Sequence, residues 1–278
     1  MIGSRIGIVT DSSSDLPPEL AGQHEIEVVP LAIHFGKRRY VDGHDLSTKA
    51  FWEKFRKTRE PPTITPPSVA SFREAYQRCG SLRAEEIVVL CSSNEEWGGS
   101  YPAAVKAVEE VDLPVRVVDC ATTSIVLGMM AIAAAEAAHL GAGTDDVIAA
   151  AHRSRPELLG VVDALEILRK NRRIGPVQAF LGRIVKTRFL VTIDGGTVKV
   201  LASSPTRGRS LTTLLEWLGD RNDAHRMALV HGDGVDVAGV IARAQDHVPR
   251  FEPMVILAGP VLGIQTGAGF VGFAASRG

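Results

Sequence analysis

Aromatic side chains are scarce: Phe, Trp and Tyr make up 5% of the 278 residues. A core of any size must therefore be aliphatic. Cysteine is scarcer still, with Cys79, Cys91 and Cys120 an odd set without CxxC spacing. That excludes a disulfide-stapled scaffold. It also suggests no structural zinc site, which takes about four close ligands. The simplest reading is three reduced, mostly buried thiols in a cytosolic protein. An excess of one charge is missing too, since 31 basic against 32 acidic residues leave a formal net charge of −1. Dedicated nucleic-acid binders usually carry a strong basic excess, so none is expected here. Long apolar runs are absent as well. The run that meets Asp11 is too short for a signal-peptide core. The stretch from Ser124 to Leu140 is rich in Ala and broken by Glu136 and His139. A membrane span needs ~20 strongly apolar residues, so this stretch reads as a buried helix and no stable membrane insertion is expected.

What is present is a globular composition, 45% hydrophobic and 23% charged, with 27 glycines for tight turns. It has enough apolar surface to offset the entropy of ordering. The length suggests two domains of ordinary size. The first half alternates strands (Arg5 to Thr10, Ile26 to Phe35, Glu86 to Cys91, Val115 to Asp119) with helices. Those helices begin at Pro17-Pro18, Ser47, Ser68, about Ser100 and Ser124, and Thr144 caps another. Such alternation indicates a parallel, doubly wound sheet. In the second half Phe189 to Ile193 and Thr197 to Ala202 flank Asp194-Gly195-Gly196, a hairpin signal. Leu158 to Val162, Met227 to His231, Val255 to Ala258 and Phe270 to Ala275 read as further strands. Ser210 to Leu218 and Val235 to His247 read as helices, with shorter helical pieces at Leu165 to Lys170 and Gly175 to Leu181. The fold class is thus α/β. An N-terminal three-layer α/β domain with a parallel sheet (residues 1–156) precedes a C-terminal α+β domain with a mixed sheet (residues 157–278). The boundary lies near Ser154 to Glu157.

The serine-rich turn Thr10 to Asp15 ends the first strand, where ligands bind in open α/β sheets. It also reads as an ordinary turn and helix cap. Trp97-Gly98-Gly99-Ser100-Tyr101 follows a strand and opens a helix, with Ser100 at the N-cap. Its free N–H groups suit an anion, but no GK[ST] follows, so it is not a nucleotide P-loop. The C-terminal Gly259 to Gly269 stretch resembles a dinucleotide fingerprint, yet reads as a connection into a strand. Ten basic residues between Arg169 and Arg209 face a single acid, Asp194. The default for such a run is solvated surface, and a focused patch would dock an acidic partner or phosphate. No GxSxG elbow or HExxH motif exists, and His231-Gly232-Asp233-Gly234 reads as a polar turn. The chain therefore reads as a binding protein rather than an enzyme.

Several segments, in order and across essentially the whole chain, resemble the DegV family of fatty-acid-binding proteins. They are Val9-Thr10-Asp11-Ser12-Ser13-Ser14-Asp15-Leu16, Tyr40-Val41-Asp42-Gly43, Pro66-Pro67-Ser68 before Phe72, Gly99-Ser100-Tyr101, Val118-Asp119 followed by Ser124 and Gly128, Leu165 to Ile174, and Gly259 to Gly272. The resemblance implies two α/β domains with a lipid buried between them. The carboxylate would be held by hydroxyls at the junction and the acyl chain by an apolar tunnel. It also implies a separate fatty acid kinase that phosphorylates the presented carboxylate, no cofactor beyond the bound fatty acid or acyl lipid, and no metal.

The head-group pattern departs from the family. The family's head-group threonine falls on Ile64, flanked by Thr63 and Thr65. Its serine falls on Gly98, beside Gly99 and Ser100, after a longer spacing from Ser92-Ser93. Its histidine falls on Gln265, next to Thr266, and its Gly-Gly-Arg reads Asn171-Arg172-Arg173. The residues expected to form the site are therefore Ser12, Ser13, Thr63, Ile64, Thr65, Ser93, Gly98, Gly99, Ser100, Arg173, Gln265 and Thr266. Either neighbouring hydroxyls substitute for the altered contacts or the head group differs, and Gln265 would suit an ester, amide or alcohol. The alternative from another class is a phosphotransfer or phosphate-binding enzyme using the Gly98-Gly99-Ser100 turn.

Overall fold

Apolar runs bounded by turn residues become strands throughout the chain. The structure is a computed structural model that describes residues 5–95, 98–163 and 188–277. The first sheet has four parallel strands in the order β2 (Ile26–Val29), β1 (Ile6–Asp11), β6 (Glu86–Cys91) and β7 (Val115–Asp119). Side chains alternate across a strand. Ile8, Val88 and Leu90 therefore face one side, and Val9, Val89 and Cys91 the other. Both faces are buried, which is why β6 reads as a continuous apolar run. Helices Val69–Ser81 and Tyr101–Ala107 cover one face, and Ser124–His139 and Thr144–Arg153 the other. This is the three-layer arrangement expected from the alternation.

The run from Ile26 to Phe35 is not one strand. Pro30 lacks the N–H a ladder needs, and the chain breaks there into β2 and β3 (Ala32–Phe35). The latter joins β4 (Arg38–Val41) and β5 (Thr63–Thr65) in a small antiparallel sheet of order β4-β3-β5.

The second large sheet has six strands: β10 (Thr197–Ser204), β9 (Arg188–Asp194), β8 (Glu157–Val162), β13 (Val271–Ser276), β11 (Arg226–His231) and β12 (Met254–Leu257), in that order. Only β11 and β12 run parallel, so the sheet is mixed. The expected hairpin at Asp194-Gly195-Gly196 is present. Helices Arg207–Gly219 and Val237–Gln245 cover the outer face over Leu159, Val161, Leu229 and Phe273. The inner face, with Leu158, Val162, Val230 and Ala274, belongs to the same core as helix Ser124–His139. That helix is apolar all round because it has neighbours all round, and it touches strands of both large sheets. It is the buried helix its composition predicts. No helix among the described residues is long and apolar enough to cross a membrane.

Three other sequence expectations change. Thr144 is the first residue of its helix rather than its cap, and its hydroxyl bonds Glu86 instead. The Gly259 to Gly269 stretch holds a fully buried helix, Pro260–Thr266, rather than a plain connection. Of the ten basic residues, six lie outside the described residues, as do the two short helical pieces read between 165 and 181. Among the other four, Arg188 and Arg207 pair with Asp163, and Lys199 pairs with Asp194. The described part of the basic run is thus largely neutralised by local acids. The three cysteines are free, as expected. Burial pushes Cys79 up to about 11 and Cys120 up to about 12, and Cys91 upward as well.

Candidate functional site

The parallel strands deliver their C-terminal ends to one place, the edge where open α/β sheets bind ligands. β1 ends in Asp11 and runs into a 3-10 turn, Ser12–Ser14, which Asp11 caps by accepting the Ser13 N–H at 2.8 Å. Asp11 is 1% exposed. Burial pushes its pKa up, and the nearby hydroxyls of Ser13 and Ser100 pull it partly back. The Ser12 hydroxyl accepts the Leu31 N–H at 3.1 Å. The Ser13 carbonyl accepts the Thr123 hydroxyl at 3.0 Å.

Asp15 leaves this turn in a left-handed conformation, φ 50°. It is the junction between the two halves of the molecule. Its Oδ2 accepts the Ser124 hydroxyl at 2.6 Å, and its Oδ1 accepts the Gly259 N–H at 3.0 Å. A Cβ on residue 259 would sit 2.2 Å from that Oδ1, so only glycine allows the approach. The preceding carbonyl, Ala258, accepts the Trp52 indole N–H at 2.8 Å. The Phe51 and Trp52 rings lie against Gly263, and helix Pro260–Thr266 packs on the Ser12–Ser14 turn. Burial raises Asp15 to about 7, with neighbouring Asp42 adding to the rise and the Ser124 and Gly259 bonds opposing it. Asp42 is itself raised to about 6 by burial, against the Ser12 hydroxyl and the Gly43 N–H.

A cleft of about 930 Å³ opens beside this junction, lined by Ser12, Asp15 and Asp42 and by apolar residues such as Leu16, Val28 and Pro260. A second, open groove of about 550 Å³ runs from helix Ser124–His139 past strands β8 and β9 to helix Arg207–Gly219. Thr122, Val126, Met130, Leu159 and Ile193 are among its walls, as are His152, Arg155, Glu157 and Arg221. Both fall in the size range of small-molecule sites.

The twelve sequence-predicted residues separate into groups. Ser12, Ser13 and Ser100 gather at the ends of β1 and β6. Ser100 is 0% exposed and stands at the N-cap position as expected, but its hydroxyl makes no cap bond and faces Asp11 instead. Gln265 and Thr266 are buried on the helix that packs against this turn. The Thr266 hydroxyl is already donated to the Leu262 carbonyl at 2.9 Å. Thr63, Ile64 and Thr65 form β5 in the small sheet. Its threonines are exposed, Thr65 bonds His34 at 2.9 Å, and Ile64 packs against the main core. Ser93 is turned away: its hydroxyl and N–H both go to Asp119. Partial burial of Asp119 opposes its charge, but those bonds and the Ala121 N–H hold it below the usual carboxylate range.

Gly98 has φ +106°, and a Cβ there would lie 2.4 Å from the Leu31 Cδ2. Leu31 is fully buried, so this position is built to carry no side chain. Gly99, with φ +55°, completes the turn by donating to the Asn94 carbonyl at 3.0 Å. Arg173 lies outside the described residues, as does Trp97.

Sequence reasoning did not assign Asp15, Asp42, Ser124 or Gly259 to the site. The signal was present: each lies within a motif that carries the family resemblance, but the bonds that join them run between segments far apart in the chain.

A family model described as "Uncharacterised protein, DegV family" matches residues 5–277. A DegV domain-containing protein of Streptomyces coelicolor is 34% identical over 277 residues, covering 98% of each chain. Protein DegV of Bacillus subtilis is 26% identical over 275 residues, 96% of this chain and 97% of that one. Among solved structures, a DegV family protein from Thermus thermophilus, described by its fatty acid binding, matches at 28% identity. Its TM-score is 0.86, over 98% of this chain and 99% of that one. The Bacillus subtilis DegV, a fatty acid binding protein, shares the fold at 24% identity and a TM-score of 0.88, over 99% and 100% of the two chains. With a match running from the first parallel strand through the last strand of the mixed sheet, the chain belongs to the DegV family.

Proposed function

We propose that this protein is a cytoplasmic lipid carrier. It sequesters one fatty acid, or a related acyl lipid, between domains divided at residues 156 and 157, and presents the head group to a separate fatty acid kinase. The observation that carries this reading is the end-to-end match to the fatty-acid-binding Thermus thermophilus protein. The junction supports it. A cleft with apolar walls at Leu16, Val28 and Pro260 and a charged rim lies next to a cluster of buried hydroxyls, and each CH₂ taken from water contributes ~0.8 kcal/mol. The head group is held by Ser12, Ser13 and Ser100 from one domain and by Gln265 and Thr266 from the other. Arg173 adds charge, and Thr63, Ile64 and Thr65 with Gly98 and Gly99 form the surrounding wall. Ser100 supplies the hydroxyl that Gly98 and Ile64 do not, because Leu31 fills the space beside residue 98. On this reading the protein binds its lipid and leaves the chemistry to the kinase.

Native mass spectrometry of the protein incubated with fatty acids of increasing length tests this directly. One bound acyl chain is expected, and a protein that stays empty with every chain sinks the reading. Displacement of a fluorescent fatty acid should show Ser100→Ala and Gln265→Ala each weakening binding by ~1–3 kcal/mol. Stronger binding of the methyl ester than of the free acid would move the head group from carboxylate to ester. Acyl phosphate formed from the loaded protein, a fatty acid kinase and ATP would support the kinase step, and no conversion would remove it.

A further inference from the structure

The carboxyl of Asp15 sits where the two halves of the proposed head-group site meet. One oxygen receives the Ser124 hydroxyl of the central helix, and the other receives the Gly259 N–H, at 2.6 and 3.0 Å. The two partners lie 109 and 244 positions along the chain from Asp15. The bond to Gly259 fixes the start of the helix that carries Gln265 and Thr266, while Asp15 itself ends the turn that carries Ser12 and Ser13. Both Asp15 and Ser124 hold positive φ, 50° and 58°, a region that Asp tolerates better than Ser does. Such conformations persist where surrounding contacts over-determine them. We infer that Asp15 is a positioning residue: its carboxyl joins the two halves of the head-group site, and its protonation sets how firmly lipid is retained. The inference rests on the lipid-carrier reading for the head-group site and for lipid retention, whereas the joint between Ser124 and Gly259 stands on its own hydrogen bonds.

The chemistry follows from what surrounds the group. Asp11 and Asp42 approach from the first strand and from the loop after β4, and both disfavour a further negative charge. The central helix offers the Ser124 hydroxyl. Helix Pro260–Thr266 and the Phe51-Trp52 pair contribute no charged side chain. His44, Glu27, Glu74 and Arg78 line the same cleft, with Arg78 held by Glu27 at 2.6 Å. A protonated Asp15 keeps one oxygen as acceptor for Gly259 and exchanges hydrogen bonds with Ser124, so the joint survives protonation and loses only its buried charge. An opened joint returns the carboxyl to water and its ordinary pKa. Closure is therefore favoured by proton uptake and weakens as pH rises through about 7. One group titrating at that value makes the closed state about tenfold less favoured at pH 8 than at pH 6.

Two readouts test this on the full chain. Amide hydrogen exchange of the 258–267 segment, in lipid-free protein and corrected for intrinsic chemistry, should lose about tenfold of its protection between pH 6 and 8. Release of the fluorescent fatty acid cis-parinaric acid should accelerate by the same factor. Asp15→Asn, which keeps an acceptor and cannot ionise, should reduce the tenfold change in both profiles to about the twofold that Asp42, raised to about 6, leaves behind. Ser124→Ala removes a bond that favours the charged form, so it should move the midpoint upward. A pH dependence unchanged in both variants, or absent from the wild type, overturns the inference. Flat exchange with normal lipid binding defeats it alone. A protonation-linked exchange profile in a protein that takes no lipid keeps the joint and defeats the carrier reading.

Discussion

Two aspartates end strands of the same parallel sheet, with β6 between them, and meet opposite fates. Asp11 and its turn, at the end of β1, are sealed under the helix Pro260–Thr266, and burial pushes the acids there upward. Asp119, at the end of β7, stays exposed and is held below its usual range by Ser93 and Ala121. The local sequences are alike: an apolar strand, an acid, then hydroxyl residues. The difference comes from the second half of the chain, which seals the first strand end with helix Pro260–Thr266 but approaches the second only with the tip of the β9–β10 hairpin, through the Asn94 amide and the Gly196 carbonyl. A covered strand end becomes a joint that stores unfavourable charge. An exposed one satisfies itself.

Breaking the covered side should cost most. Trp52 is 1% exposed and anchors Ala258 through its indole. Trp52→Ala is expected to lower stability by ~3–5 kcal/mol in urea unfolding. Gly259→Ala forces a methyl onto the Asp15 carboxylate and should cost ~1–3 kcal/mol by the same measurement, as overpacking does. Titration sharpens the contrast next. Asp15 in the folded protein sits at about 7 against an ordinary 3.8, so the folded state binds the proton more tightly. Its stabilising effect is full below the unfolded value and is lost as pH rises through about 7. Between pH 6 and 8 this one group should remove ~1.4 kcal/mol of stability, a dependence missing from Asp15→Asn when melting is followed across that range. Asp119 titrates in the opposite sense, since its folded pKa is depressed: what it contributes fades only in acid. The smallest effect belongs to the rim. Ser93→Ala should shift stability by under ~1 kcal/mol and leave the pH 6–8 profile of the melting temperature untouched.

Much of the fold was legible because apolar runs are bounded sharply. Glu86–Cys91 and Val115–Asp119 follow directly from their Val- and Ile-rich stretches. The run from Ile26 to Phe35 misled because hydrophobicity continues through Pro30 although hydrogen bonding cannot. The helix Pro260–Thr266 was hidden for a different reason. It is buried on every side, so it carries no polar face, and glycines at both ends make it look like a loop. At the site, the serines of the first turn were visible as strand-end hydroxyls. The joint was not, because Asp15 and Gly259 are 244 residues apart and nothing local to either announces the other. The position of Gly98 likewise depends on Leu31, a contact between distant segments that only the folded chain supplies.

The central helix, Ser124–His139, has a consequence for how this molecule can be made or divided. Its side chains fill the space between two sheets that belong to different halves of the sequence. Expressing the first 156 residues alone would leave the flank of that helix bare, and the remaining residues would leave one face of the mixed sheet bare. Each fragment would carry an apolar surface of the kind that drives aggregation. The two halves are separate in topology yet share one interior, so they should melt together and resist being exchanged as modules.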